Sequence, residues 1–192
     1  HLPRNLPVLM GAAAKRIIQA AAPFTGQPLP SLDGPCLVDR QPIELGPFHI
    51  TPFLVDHSAY DAYALLVEAD GKRLFYSGDF RAHGRKSKLH DRLIANPPQG
   101  IDVLLLEGSS LSRIDTDASF PSESELEEQL VAQLQSTKGV TLFHTSAQNI
   151  DRLVTVYRAC KRTDRPLVID LYAAAILAAT ENPHIPQSNW PG

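Results

Sequence analysis

The order of apolar and polar residues separates a β-rich first half from a second half in which strands alternate with helices. The predicted elements of the first half are, in chain order, a short buried strand at 6–11, a helix at 12–24 closed by Pro23, a loop at 25–36, and β-strands within 36–57 that turn at 44–47. Antiparallel pairing is expected here, because short turns join these strands.

The clearest local pattern lies at residues 62–79, where two apolar runs flank Asp70-Gly71. This dipeptide favours a two-residue primed turn, so the stretch predicts a β-hairpin. The next apolar run, "IDVLLLEG" at 101–108, is typical of a fully buried strand.

The second half predicts helices and strands in alternation. These are a helix at 122–139 with a Ser122 cap and a terminal Gly139, a strand at 140–145, a helix at 149–162, a strand at 166–171 and a helix at 172–180. Such alternation indicates a parallel sheet with crossover helices. The predicted fold class is therefore α/β, and the change near residues 109–120 divides the chain into domains at 1–110 and 111–192.

Composition narrows the classes of partner. The 192 residues carry a net charge of −3, so no overall basic field indicates nucleic acid, and any such site must be local. Two isolated cysteines, Cys36 and Cys160, form no disulfide framework or CxxC zinc pair, which favours reduced thiols in a cytoplasmic protein. No apolar run is long enough to span a bilayer, so no membrane association is expected.

Three ligand-type side chains follow predicted strands. His57 comes after one strand, Asp79 ends the hairpin, and Glu107 ends the next apolar run. Because a hairpin returns the chain to the edge that it left, His57 and Asp79 are expected at one end of the sheet. Imidazole and carboxylate suit zinc. Taken singly, each residue more often serves as a loop, turn or cap residue than as a ligand; the three together, with the hairpin spacing, favour a site.

The stretch "VDHSAYDAYALLVEADGKRLFYSGDFR" at 55–81 resembles the third and fourth motifs of the metallo-β-lactamase fold, in particular those of the β-CASP nucleases, the family of ribonuclease J and of the mRNA 3′-end processing nuclease. The stretch "FHTSAQNIDRLVTVYRACKRTDRPLVIDL" at 143–171 resembles the opening of the β-CASP domain. The resemblance implies an αββα metallo-β-lactamase domain, represented by its C-terminal part, followed by the beginning of a parallel α/β β-CASP domain.

The resemblance also implies roles at the site. His57 would bind one zinc ion, Asp79 would bridge two, and Glu107 would orient a metal-binding histidine. The two ions would activate water for hydrolysis of a phosphodiester bond. The family's HxHxDH motif and its later histidines have no counterpart here, and His144 does not occupy such a position. We therefore expect a middle fragment of a longer enzyme, with weak metal binding and no activity of its own.

Residues 81–92 form a basic segment that holds five Lys or Arg and two His against one Asp. A solvated surface loop is the simplest interpretation, but its place beside the candidate site favours a track for backbone phosphates. The candidate phosphate contacts are Arg81, Arg85, Lys86, Lys88, Ser146, Asn149 and Arg152; Ser146 and Asn149 also suit an ordinary helix cap. Weaker candidates are Asp61, as a hydrogen-bond partner of the site, and Ser109-Ser110; His83 and His90 suit phosphate donors or bystanders.

The function predicted is a zinc-dependent nuclease, exo- or endonucleolytic, that cleaves RNA, with single-stranded DNA as a second candidate substrate. The sequence is compatible with an oligomer. Two alternatives stay open. One is a metallo-β-lactamase-fold hydrolase of a small ester, thioester or phosphodiester. The other is a degenerate, non-catalytic member of the family that binds nucleic acid.

Overall fold

A five-stranded mixed sheet organises the first half of the computed structural model, which describes residues 6–26, 28–108 and 120–190. Its strands are β3 (Ile43–Leu45), β4 (Phe48–Leu54), β5 (Tyr63–Ala69), β6 (Lys72–Tyr76) and β7 (Val103–Leu105), in the order β3-β4-β5-β6-β7. The first four strands pair antiparallel, and β7 joins β6 in parallel. The predicted strands and turn within 36–57 are confirmed for residues 43–54, whereas Cys36–Leu37 pair in parallel in a separate two-stranded sheet.

The predicted hairpin is confirmed as β5 and β6. Asp70 and Gly71 both have positive φ, 50° and 70°, as a type I′ turn requires. The turn sets the register that places Leu66 opposite Phe75. Both side chains are buried, with Phe53 of β4, in the apolar cluster of this sheet.

Strand β7 differs from the prediction of a fully buried strand. It is the edge strand of the sheet, and its residues are exposed: Val103 by 45%, Leu104 by 59% and Leu105 by 48%. An apolar run identifies a strand but does not say which neighbours cover it. Among the described residues, none forms a strand on the outer side of β7.

The N-terminal strand prediction is only partly correct. A two-stranded parallel pair joins β1 (Met10–Gly11) to β2 (Cys36–Leu37), and residues 6–9 contribute a single bridge between Pro7 and Ser31. Helix α1 (Ala12–Thr25) continues past Pro23 and ends at Gly26, whose N–H donates to the carbonyl of Ala22. Gly26 adopts φ 63°, the left-handed conformation that ends helices.

The described residues also form the helices α2 (Lys88–Ala95), α3 (Glu123–Ser136), α4 (Ile150–Arg162) and α5 (Leu171–Ala179). The last three confirm predicted helices, and a capping box between Ser122 and Glu125 starts α3. Helix α2 was not predicted, because the basic segment hides a short apolar face; Leu93 packs against the sheet cluster. Helix α4 lies in two further clusters, one shared with α1 and α5 and one with α3.

The predicted strands at 140–145 and 166–171 are not formed. Neither segment is paired with a strand in the described part of the chain, Leu171 already belongs to α5, and residues of both segments line a cavity of about 600 Å³. Apolar side chains of both segments are exposed to solvent: Leu142 is 90% exposed and Val168 is 89% exposed. A strand needs a hydrogen-bonding neighbour, and neither segment has one here.

The fold is thus of the α/β class, as predicted. The domains proposed at 1–110 and 111–192 stay a prediction, since their boundary and Ser109-Ser110 lie outside the described residues. Cys36 and Cys160 are free thiols. Among the described helices, none is both long and apolar enough to cross a membrane.

Candidate metal centre

His57 and Asp79 meet at one end of the sheet. His57 follows β4 and Asp79 follows β6, and the hairpin between them brings the His57 Nε2 to 3.9 Å from the Asp79 Oδ2. The Asp79 side chain is 70% exposed and that of His57 is 25% exposed, so the pair faces solvent. The structure therefore places the two predicted ligands side by side.

Two other His–carboxylate pairs occur among the described residues, but they are local. His49 contacts Glu44 across the β3–β4 turn, and His90 contacts its neighbour Asp91. The pair of His57 and Asp79 joins two loops that are distant in sequence. Only the folded sheet brings these two side chains together.

The His57 ring is held by its own loop. The Ala59 N–H donates to the Nδ1 at 3.1 Å, and the Ser58 hydroxyl lies 3.5 Å from the Nε2. Since Nδ1 accepts, a neutral ring carries its proton on Nε2. Coordination of a metal through Nε2 would therefore require release of the Ala59 hydrogen bond.

Glu107 holds the loop that carries Asp79. Its Oε2 accepts the Phe80 N–H at 2.9 Å, and its own N–H donates to the Ser77 Oγ at 2.9 Å. The Ser77 N–H in turn donates to the carbonyl of Leu105 at 2.9 Å. Glu107 thus contacts the backbone next to Asp79 through the Phe80 N–H. Its role in orienting a histidine stays a prediction.

The geometry suits part of a zinc site. Two ligand atoms at about 2.0–2.1 Å from one tetrahedral zinc lie roughly 3.3 Å apart, so a distance of 3.9 Å needs a small approach of the two side chains, together with release of the Ala59 hydrogen bond. A structural or catalytic zinc takes three or four protein ligands. No group of three or more His, Cys, Asp or Glu suited to a metal occurs in the described ranges. The pair therefore offers two donors of such a set.

Arg81 lies in a buried ion cluster. Its side chain is 11% exposed and contacts three carboxylates, at Asp56, Asp151 and Glu123; we call these four residues the Arg81 cluster. Asp56 is fully buried. Burial alone would raise the pKa of Glu123, but hydrogen bonds from Arg152 and Thr155 outweigh it and lower that pKa below its ordinary value.

The other arginines predicted to bind phosphate are also paired. Arg85 donates to Glu127 at 2.8 Å and to the Thr155 hydroxyl at 2.8 Å, and Arg152 contacts Glu123 at 3.2 Å. Phosphate contacts by these guanidinium groups remain a prediction, and each would compete with a carboxylate of the same chain. Carboxylates from other parts of the chain thus compensate the arginine charges of the basic segment, and the sequence of the segment alone does not reveal this pairing.

The remaining predicted phosphate contacts have simpler surroundings. Lys86 lies over the ring of Tyr60, with Nζ 5.3 Å from the centroid, and burial lowers its pKa. Lys88 is exposed at the start of α2. Asn149 caps α4 by accepting the Arg152 N–H at 3.1 Å, and the Ser146 Oγ accepts the Gln148 N–H at 3.2 Å.

Three weaker candidates also have defined positions. Asp61 lies at the N-terminus of α1, where its Oδ2 accepts the N–H groups of Ala13 and Ala14 at 3.0 and 3.1 Å. His83 packs against Phe120, and burial lowers its pKa. His90 stacks on Phe80.

Sequence reasoning missed the buried acids of this region. Asp56 immediately precedes His57, and Asp151 and Glu123 lie in the first turns of α4 and α3. First-turn acids normally indicate helix capping and dipole effects, so their sequence positions give no sign of a shared arginine. Only for Asp56 does the sequence suggest burial, because this carboxylate directly follows the apolar run "FLV".

Comparison with known proteins shows the fold and no more. No family model matches the chain. A crystal structure of a protein of unknown function from Enterococcus faecalis V583 shares the fold, with a TM-score of 0.73 and 22% identity over 90% of this chain. A second structure, the subclass B3 metallo-β-lactamase MEM-A1 from a soil metagenome library, has a TM-score of 0.36 and 16% identity over 82% of this chain. The chain spans 43% of the first of these proteins and 62% of the second.

Proposed function

We propose that this chain belongs to a metal-dependent hydrolase of the metallo-β-lactamase fold, of the β-CASP type, which cleaves phosphodiester bonds in RNA. The observation that carries the proposal is the approach of the His57 Nε2 to the Asp79 Oδ2, at 3.9 Å, on loops that follow two strands of one sheet. The motif resemblance at 55–81 indicates the same two residues as metal ligands.

The residues of this chain would perform three tasks. His57 and Asp79 would hold the metal, with Asp79 free to bridge because its carboxylate is 70% exposed. Glu107 would keep the Asp79 loop in place through the Phe80 N–H. Bound zinc supplies an activated water and stabilises charge on the phosphate oxygens; two such ions are proposed, with the further donors coming from outside the described residues.

Single-stranded RNA would meet this site mainly through lysines. Within the basic segment, Arg81, Arg85 and Arg92 are paired with carboxylates, while Lys86 and Lys88 make no ion pair within 4.0 Å among the described residues. Each phosphate that a lysine neutralises adds roughly −0.7 to the slope of log affinity against log salt concentration for a single strand. Lys88 is exposed, whereas Lys86 is partly buried over the Tyr60 ring, so this segment contributes about one or two phosphate contacts rather than five.

A second candidate is a hydrolase of small esters, thioesters or phosphodiesters on the same fold. The internal pairing of the arginines favours it, because a small substrate needs no extended cationic track. The double variant Lys86→Glu/Lys88→Glu separates the two candidates. A shallower salt slope for binding of an RNA oligonucleotide favours the nuclease, and an unchanged slope favours the small substrate.

The proposal is tested with Asp79→Ala in the polypeptide that contains these residues and whatever sequence its gene encodes on either side. We expect zinc-dependent hydrolysis of an RNA oligonucleotide to fall at least 100-fold, as loss of a ligand would dictate. Circular dichroism and the unfolding midpoint should stay near wild type, because Asp79 is largely exposed. Hydrolysis of bis(p-nitrophenyl) phosphate serves as the parallel small-substrate assay.

The matched control is Asp91→Ala, which removes an exposed carboxylate that also lies beside a histidine. It should leave hydrolysis unchanged. Full activity of Asp79→Ala would show that this carboxylate holds no metal. Activity on neither substrate in the wild-type protein would favour the non-catalytic alternative.

A further inference from the structure

The two candidate metal ligands are flanked by a buried ion pair. Asp56 immediately precedes His57, and Arg81 follows Asp79 by two positions. The Arg81 N–H donates to the Asp56 carbonyl at 2.7 Å, and the Arg81 Nε lies 3.4 Å from the Asp56 Oδ1. Arg81 thus links the loop that carries Asp79 to the loop that carries His57, once through its backbone and once through its side chain.

The Asp56 carboxylate has a second partner in the same loop. Its Oδ2 accepts the Gly84 N–H at 2.7 Å, and a Cβ at position 84 would lie 2.3 Å from the Asp56 Oδ1. Gly84 therefore permits the close approach of the loop to Asp56. The side chain of Asp56 is fixed from both sides, with no exposed area.

The Arg81 guanidinium also reaches the helical half of the chain. Its Nη2 pairs with the Asp151 Oδ2 in the first turn of α4, and its Nη1 lies 3.9 Å from the Glu123 Oε1 in α3. The same Asp151 oxygen accepts the Arg85 N–H at 3.0 Å. The loop that carries Asp79 is thereby fixed to α3 and α4 as well as to Asp56.

We propose that Arg81 is a positioning residue, which holds the two loops at the separation that lets His57 and Asp79 share one cation. The role rests on the proposed function as far as the cation is concerned. Without the guanidinium, the carboxylates of Asp56 and Asp151 would be buried without their shared cation. Buried unpaired charges are unfavourable, so the loops would move apart to admit water.

The proposal predicts that Arg81→Gln separates the two ligands. In the wild-type chain, nuclear Overhauser effects should join the His57 ring protons to the Asp79 methylene protons. In Arg81→Gln they should be lost, and Co²⁺ affinity should fall about tenfold or more, the range seen for residues that support metal ligands. The matched control is Glu127→Gln, which removes a buried carboxylate that pairs with Arg85 and Arg162 but not with Arg81.

Asp151→Asn provides a milder variant in case Arg81→Gln does not fold, since it keeps the size of the side chain and removes one charge. We expect a weakened Overhauser effect there and a normal one in Glu127→Gln. An effect of wild-type strength in the folded Arg81 or Asp151 variant would overturn the positioning role, as would its absence in the wild type. If the Overhauser effect changes as predicted but Co²⁺ affinity is the same in His57→Ala as in the wild type, the positioning role stands and the proposed metal site fails.

Discussion

Replacing Asp56 with alanine is expected to lower the free energy of unfolding by about 3–5 kcal/mol, the range for breaking a buried ion pair. The side chain is fully buried, and it accepts hydrogen bonds from the Gly84 N–H and from Arg81. Its loss leaves the partly buried N–H of Gly84 without that acceptor and removes one carboxylate from the Arg81 guanidinium. Domains are commonly stable by only 5–15 kcal/mol, so the effect is large.

The measurement is denaturant unfolding of the wild-type chain, Asp56→Ala and Asp56→Asn, followed by circular dichroism. Asparagine keeps one acceptor oxygen, so it should fall between the other two. The control Asp33→Ala removes an exposed carboxylate and should change stability by no more than about 0.5 kcal/mol. Equal midpoints for Asp56→Ala and Asp33→Ala would show that the Arg81 cluster does not stabilise the fold.

Gly11→Ala is expected to destabilise the chain by about 2–4 kcal/mol, through crowding and the loss of a helix cap. A Cβ at position 11 would lie 1.9 Å from the Asp61 Oδ2. That oxygen caps α1 by accepting the N–H groups of Ala13 and Ala14. Asp61 itself has φ 64°, so its backbone has little freedom to retreat.

A double-mutant cycle isolates this contact. In an Asp61→Ala background the added methyl meets no carboxylate, so Gly11→Ala should have a much smaller effect there. Gly139→Ala is the matched control, since a Cβ at that position meets no atom within 4 Å. Additive effects of Gly11→Ala and Asp61→Ala would mean that the cap does not depend on the glycine.

Local patterns predicted the parts of the fold that short stretches of chain determine. Asp70-Gly71 favours a primed turn and the structure has one. The meeting of His57 and Asp79 follows from that hairpin, because its two strands return the chain to one edge of the sheet. Glu107 reaches the same edge through the parallel pairing of β7 with β6.

Features that depend on distant partners were not predictable in this way. The exposure of Leu104 depends on whether another element covers β7, and the backbone at 140–145 forms no strand because none of the described residues pairs with it. Arg81 looked like a cation for phosphate because its partners, Asp56 and Asp151, come from separate segments. Only the folded chain shows that its charge is already compensated.

Zinc binding by the polypeptide that contains these 192 residues, with whatever sequence its gene encodes on either side, tests the shared metal site most directly. Equilibrium dialysis would compare the wild type with His57→Ala, Asp79→Ala and the control His49→Ala, whose ring lies 2.5 Å from a carboxylate elsewhere on the sheet. We predict that affinity falls at least tenfold in His57→Ala and in Asp79→Ala and is unchanged in His49→Ala. Equal zinc affinity in all four proteins would contradict the assignment of His57 and Asp79 as partners at one metal.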